Sequence, residues 1–475
     1  MEWLSLLSTE KLAKEEAEPN AFLQYPINEF EKDYNKIVSS AAFRRLQDKT
    51  QVFPLDKSDF IRTRLTHSIE VSTIARQLGI MISKNNTEYK PDDIKDETAE
   101  KIASVLLCAG LLHDLGNPPF GHFGETVIGD WFKTSLGTIQ YKDKSLSDWL
   151  NPQMKSDLEN FEGNAQALRI LLKANYNSEI NLSFAIVGTL VKYPTDSLSF
   201  NKEVQDIKKH KLGYFLAEEK EFKHISEVIG TLNQGEINRH PLTFMLEAAD
   251  DIAYATADLE DAFKKGLFTL DSFINYFKKS IDQTKIREHA SPEYYSNILI
   301  ENLCDRRKTE GDSRAFKAWL NYTRRWLMYV AVYRFSYKYK DIMTGSYCGD
   351  LFEKTNHSLT IKILKGAMGK FAFNTSRILK LELSAQTILS FLLNNFVHAV
   401  LYYDYQDEDH NFVPSKADKK YIEIFSDNYK QDYEKAKTGD ESFDLYLRLL
   451  MVTDYISGMT DSYARTLYRE LSGIE

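Results

Sequence analysis

The chain has 475 residues but only 21 glycines and 11 prolines, so long segments contain no residue that interrupts a helix. This scarcity favours helices over many short strands. Cysteine is scarcer still, because only Cys108, Cys304 and Cys348 are present and their spacing matches neither a metal site nor a disulfide framework. We therefore expect a protein of a reducing compartment.

Two further absences narrow the class of protein. The net charge of −9 argues against a generally basic nucleic-acid-binding surface, although it is compatible with a local basic groove. The apolar run 102–112 is too short to span a bilayer, and polar residues interrupt the run 387–403. The N-terminal segment has neither the basic start nor the apolar core of a signal peptide. We expect a cytoplasmic protein that makes no membrane contact.

Hydrophobic residues make up 43% of the chain, enough for a large core, and their periodicity is mostly helical. His67, Val71, Ile74 and Leu78 follow steps of four, three and four, which places His67 on the buried face of a helix. Further helices are predicted over 34–51, about 98–114, from 161, from 241 and about 441–472. The one β signal is a weak alternation over 210–215, compatible with a hairpin strand. The sequence predicts a mainly α, multi-helix protein with at most a small β-hairpin.

The stretch 106–125, LLCAGLLHDLGNPPFGHFGE, combines an apolar helix with side chains that can bind metal. The helix ends at the adjacent His113 and Asp114, and a Gly-Asn-Pro-Pro sequence then breaks it abruptly. A buried helix that meets a rigid loop suits a functional site better than a surface.

Four side chains on predicted inward helix faces could share one metal ion: His67, His113, Asp114 and Asp250. Two imidazoles and two carboxylates suit Mg²⁺, Mn²⁺, Fe²⁺ or Zn²⁺ rather than metals that prefer thiolates. The alternative is that each histidine is a satisfied core residue and each aspartate a helix cap. Buried carboxylates are costly unless they are paired or bound to metal, and this favours the metal site.

His122 and Glu125 lie three residues apart beyond the break. A glutamate one helical turn from a histidine can fix its tautomer and raise its basicity, which makes the histidine a proton donor or acceptor. A local capping contact is the plainer alternative.

Seven basic side chains could neutralise a polyphosphate in this acidic protein: Arg44, Arg45, Arg62, Arg64, Lys192, Lys211 and Arg239. The alternative is that they are solvated surface charges. Arg64 has the strongest claim, because it directly precedes the helix that carries His67. Tyr254 and Asp258 follow Asp250 by four and eight residues and would suit a sugar ring and its hydroxyl, or simple helix packing.

Seven segments resemble, in the same order, the HD-domain superfamily of metal-dependent phosphohydrolases and, more closely, its deoxynucleoside triphosphate triphosphohydrolase branch of the bacterial dGTPase type. They are FRRLQDKTQVFP (43–54), RTRLTHSIEV (62–71), LLHDLGNPPFGHFGE (111–125), FEGNAQALR (161–169), VKYP (191–194), EAADDIAYATADLED (247–261) and DYISGMTDSYA (454–464). The HD dipeptide alone is a weak signal, but its combination with FEGNAQ and the ADDIAY helix is highly specific.

The resemblance implies a mostly α-helical enzyme that hydrolyses a dNTP, with dGTP as the first expectation, to a deoxynucleoside and inorganic triphosphate. The metal ligands that it implies are His67, His113, Asp114 and Asp250, for one Mn²⁺ or Mg²⁺ per active site. The implied catalytic pair is His122 and Glu125. The implied substrate contacts are Gln51, Val52, Arg64, Asn164, Lys192, Tyr193, Lys211, Tyr254 and Asp258.

The same resemblance predicts the organisation of the chain. We expect a lead-in or oligomer arm over 1–35, an HD phosphohydrolase core over 36–265 and a helical region packed on that core over 266–475. A homo-oligomer, either a hexamer or a tetramer, is implied, with single-stranded DNA as a further partner. No motif between 270 and 440 identifies residues that would recognise the base.

Two alternatives stand beside this interpretation. An HD phosphohydrolase of other nucleotides, such as monophosphates or alarmones, would need fewer cations. A nucleotide-sensing or single-stranded-DNA-binding protein with weak activity would not need the intact ligand set.

Overall fold

The computed structural model describes residues 1–13, 28–53, 60–84, 88–177, 180–282, 285–286, 288, 290–373, 376–405 and 414–474. These residues form 23 α-helices. The helices are α1 (Trp3–Leu6), α2 (Glu29–Ser39), α3 (Ala41–Arg44), α4 (Arg64–Ser83), α5 (Asp96–Leu112), α6 (Gly121–Ser135), α7 (Leu146–Trp149), α8 (Pro152–Glu159), α9 (Gly163–Asn177), α10 (Phe184–Leu190), α11 (Glu219–Val228), α12 (Pro241–Ala253), α13 (Leu259–Lys264), α14 (Leu270–Lys279), α15 (Pro292–Glu310), α16 (Asp312–Tyr337), α17 (Tyr339–Met343), α18 (Ser358–Met368), α19 (Ser376–Val400), α20 (Lys416–Ile424), α21 (Asp427–Ala436), α22 (Glu441–Ser457) and α23 (Asp461–Leu471). Short 3₁₀ segments lie at Arg45–Asp48, Ile207–Lys209 and Leu216–Glu218, and π-helical segments at Tyr254–Asp258 and Gly369–Phe373.

The prediction of a mainly α protein is confirmed, because strands are confined to two antiparallel hairpins among these residues. One pairs β1 (Gln140–Tyr141) with β2 (Lys144–Ser145), and the other pairs β3 (Leu232–Asn233) with β4 (Glu236–Ile237). The prediction of a strand over 210–215 is wrong. That segment is irregular and packs against the loop at Tyr193, where the Gly213 amide donates to the Thr195 carbonyl at 2.9 Å.

Helices α4 and α5 pack closely along most of their length, and this contact positions His67 of α4 relative to His113 at the end of α5. A side chain at Gly110 of α5 would begin only 2.4 Å from the Ser72 Cα of α4. The Ser72 hydroxyl donates to the Leu107 carbonyl at 2.7 Å across the same contact. The Thr63 side chain caps α4, which places His67 in the first turn of the helix. His67 lies on the buried face, as predicted.

The Gly-Pro break after α5 allows three segments to approach one another. A Cβ at Gly116 would lie 2.0 Å from the Gly163 carbonyl at the start of α9, so a larger residue would clash with backbone. Phe120 takes a left-handed conformation (φ 65°) immediately before α6 begins at Gly121. The loop is therefore held tightly between α5, α6 and α9.

Three predicted helices are less regular than expected. The helix predicted over 34–51 breaks at Ser40, whose side chain caps α3, and then tightens into a 3₁₀ turn. The helix predicted over 441–472 is divided into α22 and α23 around Gly458. The helix that starts at Pro241 contains the π-helical turn Tyr254–Asp258 between α12 and α13.

Two hydrophobic clusters form the core. The first joins α2, α4, α5, α10 and α12 to the helices between α14 and α18. The second joins α6 and α8 to α19, α22 and α23, so the C-terminal helices pack directly against the central stretch. No helix among the residues listed above has the length and apolar character needed to cross a membrane.

The predicted arm over 1–35 lies partly outside the described residues, because 14–27 are not among them. The described start of the chain packs on the core, since Trp3 and Leu6 are buried. The Leu6 carbonyl lies 3.0 Å from His240 Nε2, next to the start of α12.

Candidate active site and metal centre

The structure brings the four predicted metal ligands together from three helices. His67 lies on α4, His113 and Asp114 follow the end of α5, and Asp250 lies on α12. One Asp250 oxygen is 3.3 Å from His67 Nε2 and 3.5 Å from His113 Nε2. Ligand atoms of His67, His113 and Asp114 all lie within 4.8 Å of one another.

The chemistry of these atoms fits a divalent cation. His113 Nδ1 lies 2.8 Å from its own helix carbonyl at Gly110, and as a donor there it leaves the Nε2 lone pair for a ligand. His113 Nε2 is buried and makes no hydrogen bond to the described residues. Asp114 Oδ2 lies 3.5 Å from it and is paired with Arg64. A cation bound by these two atoms would supply the imidazole nitrogen with a partner and further neutralise the carboxylate.

Two cations outside the ligand set keep the carboxylates ionised. Arg64 Nη1 lies 2.9 Å from Asp114 Oδ2, and Lys192 Nζ donates to Asp250 Oδ2 at 2.8 Å. Burial alone would raise the pKa of both aspartates, but Arg64 and Lys192 outweigh it and hold each pKa well below its usual range. Arg64 reaches Asp114 past Gly121, where a Cβ would lie 2.6 Å from its Nη2.

His122 and Glu125 form the predicted pair on the first turn of α6. Their Nδ1 and Oε2 atoms are 2.8 Å apart, and Glu125 Oε1 also accepts from the Gly163 amide at 3.0 Å. The hydrogen bond and charge of Glu125 raise the pKa of His122 above its ordinary value of 6.5. Glu125 is buried, whereas 78% of the His122 side chain is exposed, so the imidazole can reach a ligand.

A cavity of about 400 Å³ opens beside the metal ligands. Its described lining includes Gln51, Val52, Arg64, Asp114, His122, Phe123, Asp250, Tyr254, Ile378, Leu381 and Glu382. A second cavity of about 430 Å³ is lined by His122 and Glu125 on one side and also by Glu162 and Lys211. His122 therefore stands where the two cavities meet.

The sequence of this chain is similar to those of known proteins. A family model described as HD domain matches residues 64–158. A deoxyguanosinetriphosphate triphosphohydrolase-like protein of Listeria innocua is 44% identical over 94% of both chains, and one of Synechocystis sp. is 32% identical over 100% of both. A deoxyguanosinetriphosphate triphosphohydrolase of Yersinia enterocolitica is 30% identical over 94% of both chains. The chain belongs to the deoxyguanosinetriphosphate triphosphohydrolase family. The resemblance read from its motifs is confirmed.

The substrate contacts expected from membership of the deoxyguanosinetriphosphate triphosphohydrolase family do not all line one cavity. Gln51, Val52, Arg64 and Tyr254 line the first cavity. Lys211 lies instead on the second cavity, where its Nζ and the Asn164 amide both donate to Glu162 Oε1, at 2.9 and 2.8 Å. Lys192 is bound to Asp250, and Tyr193 lies beneath the Arg239 guanidinium, 5.7 Å from its ring centroid.

Asp258 is placed differently from Tyr254, although both were expected on one helix face. The π-helical turn adds a residue to the helical repeat, so Asp258 is buried and does not appear in the cavity lining. Neither carboxylate oxygen has a hydrogen-bond partner among the described residues, and burial raises the pKa of Asp258 to about 7. This carboxyl group therefore needs a donor that the described protein atoms do not supply.

Three lining residues lie outside every recognised sequence motif and were not predicted. Ile378, Leu381 and Glu382 lie at the start of α19, more than a hundred residues beyond Tyr254 along the chain. Their segment carries no motif, and an alternation of apolar and charged residues at a helix start gives no sign of a distant cavity.

Proposed function

We propose that this chain hydrolyses dGTP to deoxyguanosine and inorganic triphosphate, using one divalent ion, Mn²⁺ or Mg²⁺. The observation that carries the proposal is the convergence of His67, His113, Asp114 and Asp250 beside a cavity with a histidine–glutamate pair. An ion held by these four side chains would supply Lewis acidity to a phosphoryl oxygen and to water. The absence of thiolates among the ligands and a polyphosphate substrate favour Mn²⁺ or Mg²⁺ over softer metals.

The cations around the site suit a triphosphate. Arg64 and Lys192 are each within 3 Å of a metal-ligand carboxylate, so they lie where phosphate oxygens would approach the ion. Their charge would offset the negative charge on the triphosphate oxygens as water adds to the α-phosphorus and the 5′-oxygen departs. Lys211, on the second cavity, and Tyr193 are proposed to contact the distal phosphates or the sugar.

His122 is proposed as the proton donor. Its Nδ1 is bound to Glu125, so its exposed Nε2 can give a proton to the 5′-oxygen as the bond from that oxygen to the α-phosphorus breaks. Glu125 raises the pKa of His122 and so favours the protonated imidazole that can act as a donor. Glu125 acts by orienting and charging the imidazole, and the Gly163 amide fixes Glu125 in turn.

The deoxyribose is proposed to lie against Tyr254, where the ring would leave little space for a 2′-hydroxyl. The Gln51 Oε1 atom and both Asp258 oxygens are buried without hydrogen-bond partners among the described residues. A 3′-hydroxyl can donate to Gln51 Oε1, which supports the assignment of Gln51 to the sugar, whereas Asp258 is buried outside the cavity lining. Val52 would pack beside it, and Asn164 would act through Glu162 rather than on the sugar.

A preference for guanine is supported by Glu382. Guanine presents two adjacent donors on its pairing edge, and a carboxylate can accept both at once, whereas adenine presents an acceptor there. Glu382 is the cavity-lining carboxylate that α19 contributes, next to the apolar Ile378 and Leu381. These three side chains would form a wall against which the base lies.

The proposal is tested with purified protein stripped of metal by a chelator and then supplied with Mn²⁺ or Mg²⁺ and each of the four dNTPs. Turnover should require the metal, favour dGTP and fall by at least about 100-fold in His113→Ala. Glu382→Gln should reduce the preference for dGTP over dATP about tenfold without loss of metal binding. Equal turnover with and without the chelator, or no turnover of any dNTP, would contradict the proposal.

We also propose that the chain works as a homo-oligomer, either a hexamer or a tetramer. Leu379 and Leu383, near the start of α19, are 49% and 64% exposed close to the mouth of the cavity. Exposed apolar side chains of this size are common at interfaces between subunits. Sedimentation of the purified protein measures the assembly directly.

A further inference from the structure

Away from the active site, helix α16 exposes a row of aromatic side chains. Trp326, Tyr329, Tyr333 and Tyr337 follow steps of three, four and four, so they share one helix face. Their exposed fractions are 38%, 49%, 39% and 48%. Side chains of this kind are normally buried, so a continuous exposed row indicates a binding surface.

One end of this row closes into a cavity of about 310 Å³. Its aromatic lining consists of Tyr295, Trp326, Tyr329, Tyr333 and His357. Its charged lining, among the described residues, is Arg334 and Lys354, with no carboxylate. In a chain of net charge −9, such a lining favours an anionic partner.

The nearby carboxylate does not cancel this charge. Glu353 lies 3.4 Å from Lys354 Nζ, but the two side chains are 50% and 81% exposed, so their attraction is weak in water. Arg334 is held at the cavity by a 3.4 Å contact from its Nε to the Tyr347 hydroxyl. Both cations can therefore interact with a bound anion.

His357 provides a second and independent indication of a ligand. The residue is only 3% exposed, and its Nδ1 has no hydrogen-bond partner among the described residues. Its ring stacks on Trp326, with 5.8 Å between centroids and 30° between planes, and packs against Tyr295 at 5.2 Å. His357 also precedes α18 without capping it, so the positive end of that helix faces the same region.

We propose that this cavity is a second ligand site, for a planar aromatic ring that carries an anionic group, the chemistry of a nucleoside phosphate. The ring would lie against Trp326 and Tyr329, since bases stack well on aromatic side chains. The anion would lie near Lys354, Arg334 and the start of α18. The cavity is separate from the active site, which α18 reaches at its other end through the 2.7 Å ion pair of Lys365 with Asp251.

Two sources could supply this chemistry, a free nucleotide or one residue of a single strand. Beyond the cavity, the Tyr337 ring is parallel to that of Tyr333 to within 6°, and Tyr89 packs against both rings. A strand would use Tyr337 and Tyr89 for its next base, whereas a free nucleotide in the cavity would not reach them.

The experiment uses the fluorescence of Trp326 in the full-length protein, with a chelator present so that nothing is hydrolysed. Deoxyadenosine 5′-monophosphate, inorganic phosphate and a short oligodeoxyadenylate are titrated separately. We expect saturable quenching by the monophosphate that is absent in Trp326→Phe and about tenfold weaker in Lys354→Glu. Lys362→Glu, which changes an exposed lysine of α18 outside the cavity lining, is the matched control and should bind like the wild type.

Comparing the titrations identifies whether the ligand is a free nucleotide or a single strand, and can also refute the proposed site. Tighter binding of the oligonucleotide than of the monophosphate would identify a strand, and equal binding a free nucleotide. The proposal fails if the monophosphate gives no saturable quenching, or if Lys354→Glu leaves its affinity unchanged. It also fails if the signal follows protein concentration without ligand, because the row would then be a contact between copies of the chain.

Discussion

At the scale of single residues, the account depends on the state of one proton on His122. Its imidazole is more than three-quarters exposed, yet Glu125 beneath it is buried and bound on its other oxygen by the Gly163 amide. The glutamate cannot easily turn away from the imidazole, so its charge acts at a fixed distance of 2.8 Å. The pH dependence of turnover should therefore report this pair.

We expect turnover to fall as pH rises through the raised pKa of His122, because the proton donor is then lost. In Glu125→Gln the charge that raises this pKa is removed, so the alkaline limb should move to lower pH. The measurement is kcat against pH at saturating metal. Glu97→Gln, an exposed carboxylate paired with Lys101, is the control and should reproduce the wild-type profile. An unchanged alkaline limb in Glu125→Gln would show that another group supplies the proton.

The burial of the two histidines proposed as metal ligands could be predicted at this scale, because sequence periodicity marks both positions. His67 follows the apolar repeat of α4, and His113 ends an apolar run, so their burial could be inferred without knowing what faced them. Glu382 could not be found in this way. It reaches the cavity only because α19 lies across the mouth, and no local pattern records that contact.

At the scale of elements, the contact of α4 with α5 sets the distance between His67 and His113. The two helices approach so closely at Gly110 that backbone of one meets backbone of the other. The positions of His67 and His113 relative to each other therefore depend on a residue that touches neither imidazole.

Gly110→Ala should push the two helices apart. The added methyl would lie 2.4 Å from Ser72 Cα, and overpacking of this kind costs about 1–3 kcal/mol, after a gain in helix propensity of about 1 kcal/mol is overcome. We expect a lower free energy of unfolding in urea and a weaker affinity for Mn²⁺ by calorimetry. Gly137→Ala is the matched control, because nothing lies within 4 Å of its Cβ position. A Gly110→Ala protein with wild-type stability and affinity would refute this role of the helix contact.

The helix that carries Asp250 shows why an element can be predicted while its detail is not. The apolar repeat and the proline at its start predict α12 correctly. The π-helical turn at Tyr254–Asp258 has no signature in the composition of that segment, because alanine, threonine and aspartate are also compatible with regular helix. The helix face on which Tyr254 lies could be predicted, but the burial of Asp258 could not. The weak alternation over 210–215 misled for a related reason, since Gly213 packs against a loop instead of a strand.

At the scale of the whole molecule, the C-terminal helices hold the central stretch in place. Asp461 of α23 accepts from the amides of Phe120 and Thr50, at 2.9 and 3.0 Å. Lys49 donates to the carbonyls of Asn117 and Ser457, both at 2.6 Å. The motif over 454–464 therefore works by contact with the active-site loop, more than 300 residues earlier in the chain. That motif could be recognised from the sequence, but the contacts it makes could not.

Asp454 of α22 joins the C-terminal helices to α9 through a buried network. It accepts from Arg169 at 2.8 and 3.0 Å and from Gln166 at 2.8 Å, and it also pairs with Lys173. Burial would raise its pKa, but Arg169 and Lys173 outweigh burial and lower it to about 2. This group therefore stabilises the fold above about pH 4, and the contribution is lost as pH falls towards 2.

Asp454→Asn should lower the free energy of unfolding at pH 7 by about 3–5 kcal/mol, because it leaves buried cations without their principal carboxylate. Urea denaturation gives the value. Asp305→Asn removes a carboxylate from an exposed pair with Lys308 and should change stability by less than about 0.5 kcal/mol. If the two substitutions had equal effects, the buried network around Asp454 would not be what stabilises the packing of α22 on α9.

The most direct test of the proposed reaction is to run dGTP hydrolysis with Mn²⁺ in ¹⁸O-labelled water and locate the label in the products. The account predicts deoxyguanosine without label and intact inorganic triphosphate that carries one ¹⁸O at its end, because water attacks the α-phosphorus and the 5′-oxygen departs. Deoxyguanosine monophosphate with pyrophosphate, or label in the 5′-hydroxyl of deoxyguanosine, would contradict it.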